Sequence, residues 1–496
     1  MFKIGFDNEK YLKMQSENIL KKINMFGGKL YLEFGGKLFD DYHASRVLPG
    51  FKPDSKVNML MQLKDEAEIV IVISADAIEK NKRRGDLGIT YDLDVIRLID
   101  AFRGKGLYVG SVVITQYTGQ PTASRFEKRL IALGIKVYKH YLISDYPSNI
   151  QHIVSDDGFG KNDYIETSRS LVVITAPGPG SGKMATCLSQ IFHEHKRGSN
   201  AGYAKFETFP IWNLPLMHPV NIAYEAATAD LNDINMIDPF HLEAYGKTTI
   251  NYNRDIEIFP ILKTMLERII DGPSPYKSPT DMGVNMAGYC ITDDEIVSNA
   301  AKQEIIRRYY KTLCSQRQGL CEQSEVLRLE LLMSTTKLSK DNRPVVEVAN
   351  TRAEETGMPT VALQLQDGTI VTGKTTSLLG ASAALLLNTL KVLAGINHNI
   401  LLISPIVIEP IQRLKVDHMG NHNPRLHTDE VLIALSICAA TNPTVTLALE
   451  QLPKLYGCEA HSSVILSSVD DGVFQKLGVN ITSEPKYQTK KLYYSK

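Results

Sequence analysis

Cysteine is scarce in this chain: six in 496 residues, at positions 187, 290, 314, 321, 438 and 458, with no Cys-x-x-Cys pair among them. So thin a set excludes a disulfide scaffold and the common paired-cysteine zinc sites, and it fits a reducing cytoplasm. Excess charge is missing too. Fifty-five Lys and Arg balance 55 Asp and Glu, which leaves no net positive charge to hold a nucleic-acid backbone or an anionic membrane. No apolar run approaches the ~18 residues of a membrane-spanning helix. The first residues, MFKIGFDNEKYLKMQSENILKK, break every apolar pair with charge and contain no signal-peptide core. Tryptophan occurs once, at Trp212. These absences lead to the expectation of a soluble cytoplasmic protein with neither nucleic-acid nor membrane partners.

What is present is ordinary globular material, 43% hydrophobic and 22% charged, long enough for two to four domains of roughly 100–200 residues. Three runs, IVIVIS (69–74), SVVIT (111–115) and LVVIT (171–175), are β-branched on consecutive positions, as strands buried on both faces of a parallel sheet require. Helical patterns at 94–106 and 124–134 separate them and stop at glycine, so the N-terminal part reads as an α/β unit with a mostly parallel sheet. YLEFGGKLFDDY (31–42) reads as a hairpin turning at Gly35-Gly36. Long amphipathic patterns at 256–272 and 294–319 mark a helical middle section. After Pro344 a second α/β subdomain follows: a hairpin at 360–373, a small-residue helix at 377–395, a strand ILLISPIVI (400–408), a helix at 429–442 and a strand SSVILS (462–467). The expected domains are 1–240, 241–343 and 344–496.

In doubly wound sheets ligands bind beyond the carboxyl ends of the strands, so the loops there carry the functional question. The first strand is followed by the basic stretch Lys80, Lys82, Arg83, Arg84, and the third by Ala176-Pro177-Gly178-Pro179-Gly180-Ser181-Gly182-Lys183, which opens directly into a helix. Glycines let backbone N–H groups turn inward, the helix start adds partial positive charge, and the lysine supplies an ammonium for a phosphate. The P-loop pattern G-x-x-x-x-G-K-[ST] is broken twice, by Pro177 at its first glycine and by Met184 after the lysine, leaving Thr186 as the nearest hydroxyl. An ordinary glycine turn between strand and helix is the alternative. Residues 368–375, GTIVTGKT, match the same pattern in every letter, yet their β-branched interior and their start at a hairpin turn read as strand and loop.

Residues 206–245 gather Trp212, three prolines that argue against regular structure, the acids Glu225, Asp230, Asp233 and Asp238, and His218 and His241. A substrate or metal region and an irregular inter-domain wrap both fit. In the C-terminal part His418, His422, His427 and His461 lie in loops or beside them.

The segments GPGSGKMATCLSQIFHEH, FETFPIWNLPLMHPVNIAYEAATADL, ALQLQDGTIVTGKTTSLLGASAALLLN and CEAHSSVILS together resemble the bacterial family called domain of unknown function 1846, over essentially the full length. The resemblance implies an N-terminal α/β unit, a helical middle and a C-terminal subdomain with a topology like that of cytidine deaminases. The zinc ligands of those enzymes are absent from this sequence, so their chemistry does not follow.

The function expected from the residues is binding of ATP or another phosphorylated small molecule, with or without Mg²⁺, by Gly178, Gly180, Ser181, Gly182, Lys183 and Thr186. A phosphotransferase would use Lys183 on the transferred group and Asp230 or Asp233 toward the acceptor or Mg²⁺. The alternatives are a non-catalytic sensor of the same ligand and a hydrolase or lyase using His427 or His461. No metal site is assigned. Self-association as a homo-oligomer is expected from the small-residue helix at 377–395.

Overall fold

The computed structural model describes residues 3–36, 38–39, 41–84 and 87–488. Two compact units result: an N-terminal unit of residues 4–225 and 232–300, and a C-terminal unit of residues 301–496 joined by 1–3 and 226–231. Residues 241–300, read from the sequence as the start of a helical section, share a unit with the parallel sheet.

That sheet explains the consecutive β-branched runs. Its strands are β1 (Leu30–Phe34), β2 (Ala67–Ser74), β3 (Tyr108–Tyr117), β4 (Lys136–Tyr141), β5 (Leu171–Thr175) and β6 (Gly202–Phe206). An antiparallel ribbon, β7 (Asn235–Ile237) with β8 (Ile250–Tyr252), stands apart, and β9 (Gly283–Val284) completes the main sheet in the order β4-β3-β2-β5-β1-β6-β9. All its pairings are parallel. Every residue of β2 and of β5 is buried, and each Val or Ile so enclosed contributes about 1.5–3 kcal/mol relative to exposure. Phe34 and Phe206, opposite each other on β1 and β6, stack with ring centroids 4.0 Å apart.

The connections set the position of the site. The chain leaves β2 toward β3 and leaves β5 toward β6, so the loops after these two neighbours part in opposite directions. The same divergence recurs between β1 and β6. Such switch points form crevices at the carboxyl edge of a sheet.

The C-terminal unit holds a mixed sheet of β10 (Thr360–Gln364), β11 (Ile370–Lys374), β12 (Glu459–Ser462) and β13 (Asn480–Ser483), ordered β11-β10-β12-β13. Arg343, 1% exposed, fastens its last two strands: Nη2 donates to the carbonyls of Ala460 (2.8 Å) and Asn480 (2.7 Å), Nε donates to Thr482 Oγ1 (3.1 Å), and the guanidinium pairs with Glu459.

Four expectations about local structure are corrected. The 31–42 segment is no hairpin: β1 pairs in parallel with β5 on one side and β6 on the other, and Gly35-Gly36 only releases the chain from the sheet. Positions 37 and 40 lie outside the described residues. The 400–408 run is no strand, because Pro405 lacks the N–H a ladder needs but suits the first turn of a helix, which runs Pro405–Arg413. The final apolar run pairs earlier than expected, at Glu459–Ser462, not at 462–467. Prolines in 206–245 do not exclude regular structure either: Pro219 and Pro239 open the helices Pro219–Ala227 and Pro239–Tyr245.

The 368–375 match is a hairpin turn and strand β11, as its β-branched interior required. A Cβ on Gly373 would collide with the backbone of Leu385, so this glycine serves the approach of the helix Ala381–Ala394. Ala381, Ser382 and Ala383 of that helix are buried within their own unit. Among the described residues no helix is long and apolar enough to cross a membrane, and all six cysteines are free.

Candidate functional site

At the end of β5 the chain enters the glycine turn and then the helix Lys183–Lys196, whose N-cap Gly182 is left-handed at φ 83°. Gly180 is also left-handed, at φ 74°. Between them, hydroxyls occupy the carbonyls of the turn: Ser181 Oγ donates to Gly178 O (2.8 Å) and Thr115 Oγ1, from the end of β3, donates to Ser181 O (2.7 Å). With those carbonyls held, the N–H groups are left over. None of the backbone N–H groups of Gly178, Gly180, Ser181, Gly182, Lys183, Met184 and Ala185 donates to an acceptor among the described residues. A run of unsatisfied donors at a helix start, where the dipole is positive, forms an anion-binding concavity.

Lys183, half-buried, makes no hydrogen bond or ion pair among the described residues. Thr186, one turn into the helix, is fully buried and its Oγ1 has no partner. The basic stretch reaches the same place through Tyr91. A Cβ on Gly178 would collide with the Tyr91 hydroxyl, and Lys82 Nζ lies 5.3 Å from the Tyr91 ring centroid. Arg84 is committed elsewhere: it pairs at 3.0 Å with Asp94, fully buried and also held by Arg97.

Sequence reasoning missed the other half of the site. Tyr31 and Glu33 point to the same face of β1, and Tyr31 packs in one core with Cys187, Leu188 and Ile191 of the 183–196 helix and with Phe259 and Leu262 of the helix Asn253–Ile270. Glu33 therefore lies on the face those two helices cover, at the carboxyl edge. It stands opposite Lys205 of β6 and accepts a hydrogen bond from Tyr203 Oη at 2.7 Å. Lys205 Nζ pairs with Glu207 at 2.8 Å and with Asp255, in the first turn of the 253–270 helix.

The electrostatics tie the two halves together. Burial and then the Glu33 charge push the Cys187 thiol well up, while Lys183 opposes them, so both charges act on one buried atom. Burial and then Glu33 likewise raise the Tyr203 hydroxyl. Burial alone would lower Lys205, but Asp255, Glu207 and Glu33 hold its ammonium above the ordinary range. Burial raises the Glu207 carboxyl to about 7, Lys205 opposing and Asp255 adding to it.

Of the two aspartates expected to act, Asp233 is buried and bound by Arg254 (Nη2 to Oδ2, 2.8 Å). Burial raises its carboxyl although Arg254 opposes, and the charges of Asp255 and Lys205 also reach it. Asp230 is exposed and belongs to the C-terminal unit, apart from Lys183. Asp238 caps a helix and accepts from Thr280, and His241 bonds Ser278. In the C-terminal unit His461 is fully buried between Thr482 (2.8 Å) and Glu484 (3.3 Å), and His427 is fixed to Asp470 at 3.1 Å. Both are structural partners within their unit. Among the described residues no group of three or more His, Cys, Asp or Glu side chains is placed to hold a metal ion.

Comparison with known proteins agrees in extent with the resemblance read from the sequence. Family models described as the N-terminal and C-terminal parts of domain of unknown function DUF1846 match residues 4–337 and 341–493. A UPF0371 protein of Streptococcus thermophilus is 58% identical over 493 residues, covering 99% of this chain and 100% of its own. A UPF0371 protein of Corynebacterium urealyticum is 60% identical over 491 residues, 99% of each chain. One from Streptococcus pneumoniae is 57% identical over 493 residues, with 99% and 100% covered.

Proposed function

The chain belongs to the family described as domain of unknown function DUF1846, and from that footing we propose that its N-terminal unit binds a nucleotide or another phosphorylated small molecule in the 176–183 turn. The observation that carries this reading is the set of backbone N–H groups from Gly178 to Ala185 left without acceptors beside the unpaired, half-buried Lys183. Lys82 adds a second cation at the rim.

Phosphoryl transfer is the reaction class that suits the arrangement. Lys183 and the N–H groups would neutralise charge on the transferred group. Magnesium, which needs only one or two carboxylates beside phosphate oxygens, would arrive with a nucleotide. Met184 in place of a hydroxyl favours a second reading, a sensor that holds the ligand without turnover. The unpaired cysteines and balanced charge support a cytoplasmic setting for either.

The test is a thermal-shift panel of nucleotides and phosphorylated metabolites, with and without Mg²⁺, on the wild type and on Lys183→Met. A ligand at about 100 times its Kd stabilises by about 2.7 kcal/mol, a shift of a few degrees. A shift lost in the variant supports the reading, and no shift with any compound refutes it. Release of product from the bound compound separates the transferase from the sensor.

A further inference from the structure

We infer that the phosphorylated ligand carries neighbouring hydroxyl groups, as a sugar phosphate or a ribonucleotide does, and that Glu33 reads them. This rests on the phosphate reading of the 176–183 turn and extends it to the body of the ligand.

Three observations place a hydroxyl-reading set next to the cradle. Glu33 has one carboxylate oxygen engaged by Tyr203, while Oε1 accepts nothing among the described residues. Lys183 opens the helix whose Cys187, Leu188 and Ile191 pack with Tyr31 on the face of β1 that carries Glu33, and both charges act on the Cys187 thiol. Tyr146, packed against the same core as Met184, buries its hydroxyl with no partner, and the Glu33 charge reaches that hydroxyl. A buried phenol oxygen without a partner costs free energy that an incoming polar group would recover.

The chemistry of this set selects the ligand class. A carboxylate oxygen only accepts, whereas the Tyr146 hydroxyl and the Lys205 ammonium donate. A protonated amine presents only donors, so it could use Glu33 and the Tyr146 oxygen but would offer nothing to the Lys205 ammonium. A hydroxyl both donates and accepts, so a pair of adjacent hydroxyls can satisfy Glu33 and take a bond from Tyr146 together. The arrangement parallels dinucleotide-binding sheets, where an acid at the end of the strand beside the phosphate loop takes ribose hydroxyls. Here the phosphate loop follows β5 and the acid ends β1, its direct neighbour.

Calorimetric titration tests this with ethyl phosphate as the bare phosphate probe, against ribose 5-phosphate, glucose 6-phosphate, AMP and 2′,3′-dideoxy-AMP. In the wild type at least one hydroxylated phosphate should bind about tenfold or more tightly than ethyl phosphate, and AMP should exceed its dideoxy analogue if the ligand is a nucleotide, as expected for one or two bonds to a charged acceptor. Glu33→Gln, which keeps the Tyr203 partner, should erase that margin, while ethyl phosphate, freed of the neighbouring negative charge, binds no more weakly than to the wild type. Equal binding of ethyl phosphate and every hydroxylated compound by the wild type overturns the inference and leaves the cradle standing. Retention of the margin in Glu33→Gln overturns it as well. Failure of all the compounds, ethyl phosphate included, refutes the phosphate reading and this extension with it. The wild-type comparison needs no variant to fold.

Discussion

Replacing Glu207 by Gln should change how the N-terminal unit responds to pH, and the structure gives the size and sign of the effect. Glu207 is 8% exposed, with Lys205 Nζ 2.8 Å from its carboxylate. Burial above all raises its carboxyl from an ordinary 4.5 to about 7. The folded chain thus keeps this proton to higher pH than the unfolded chain does. Between pH 4.5 and 7 the folded state binds more protons at this group, and the stability the group confers falls as pH rises through that window. At 1.36 kcal/mol per pH unit of separation the fall totals about 3 kcal/mol.

Glutamine cannot lose a proton, so the variant lacks this fall. The stability of Glu207→Gln relative to wild type should therefore rise by about 3 kcal/mol between pH 4.5 and pH 8. Lys205 keeps Asp255 as its partner in the variant. Trp212 supplies the signal, because a Cβ on Gly283 would lie 2.5 Å from its Cζ2 and 3.4 Å from Glu207 Oε2. Urea unfolding at half-unit pH intervals, followed by fluorescence of this single tryptophan, reports on the unit that holds the carboxyl. A difference that does not change with pH, or that changes in favour of the wild type, refutes the argument that Glu207 is held up by burial.

Gly182→Ala should cost about 1–3 kcal/mol, since φ is 83° and the new Cβ would stand 3.1 Å from Thr115 Oγ1; urea titration of the variant checks it. Gly180→Ala, with nothing within 4 Å of its Cβ and strain only from φ 74°, should cost about 1 kcal/mol, and a loss as large as at Gly182 would contradict the packing. Lys374→Met should leave every phosphate-dependent thermal shift unchanged, because the segment that matches the P-loop letters is strand β11. Arg343→Met should destabilise the C-terminal unit by about 3–5 kcal/mol, leaving the Ala460 and Asn480 carbonyls without their donor and Glu459 with Arg307 as its remaining cation; faster amide exchange across β12 and β13 is the readout.

In the parallel sheet the runs that read plainly as buried strands, in β2, β3 and β5, are apolar and β-branched on consecutive positions, and the 360–373 hairpin declared itself by its turn. β1 was read as one arm of a hairpin and β6 not at all, because each carries a charge on its functional face, Glu33 in LYLEF and Lys205 in GYAKF. A charged residue next to last in a short apolar run suits a sheet edge facing a site better than a hairpin. What no sequence pattern could supply was their pairing. Glu33 meets Lys205, which in turn pairs with Asp255, only because β1 is inserted between β5 and β6, strands that follow each other in the chain. Asp230 illustrates the converse, since it neighbours Asp233 in sequence and falls in the other unit.

The two phosphate-loop candidates show which property of the chain decides such a site. Residues 368–375 have every letter of the pattern and form an antiparallel strand whose N–H groups are spent on a ladder. Residues 176–183 lack two letters, yet place Gly180 and Gly182 in the left-handed region and leave the following N–H groups free. Pro177, which breaks the pattern at its first glycine, is buried, and the left-handed positions of the turn fall at Gly180 and Gly182 instead, so the turn forms without a glycine at 177. Met184 removes a hydroxyl but not a backbone donor. The substitutions that depart from the pattern therefore touch metal ligation and spare anion binding, and the chemistry to test first is the grip on phosphate.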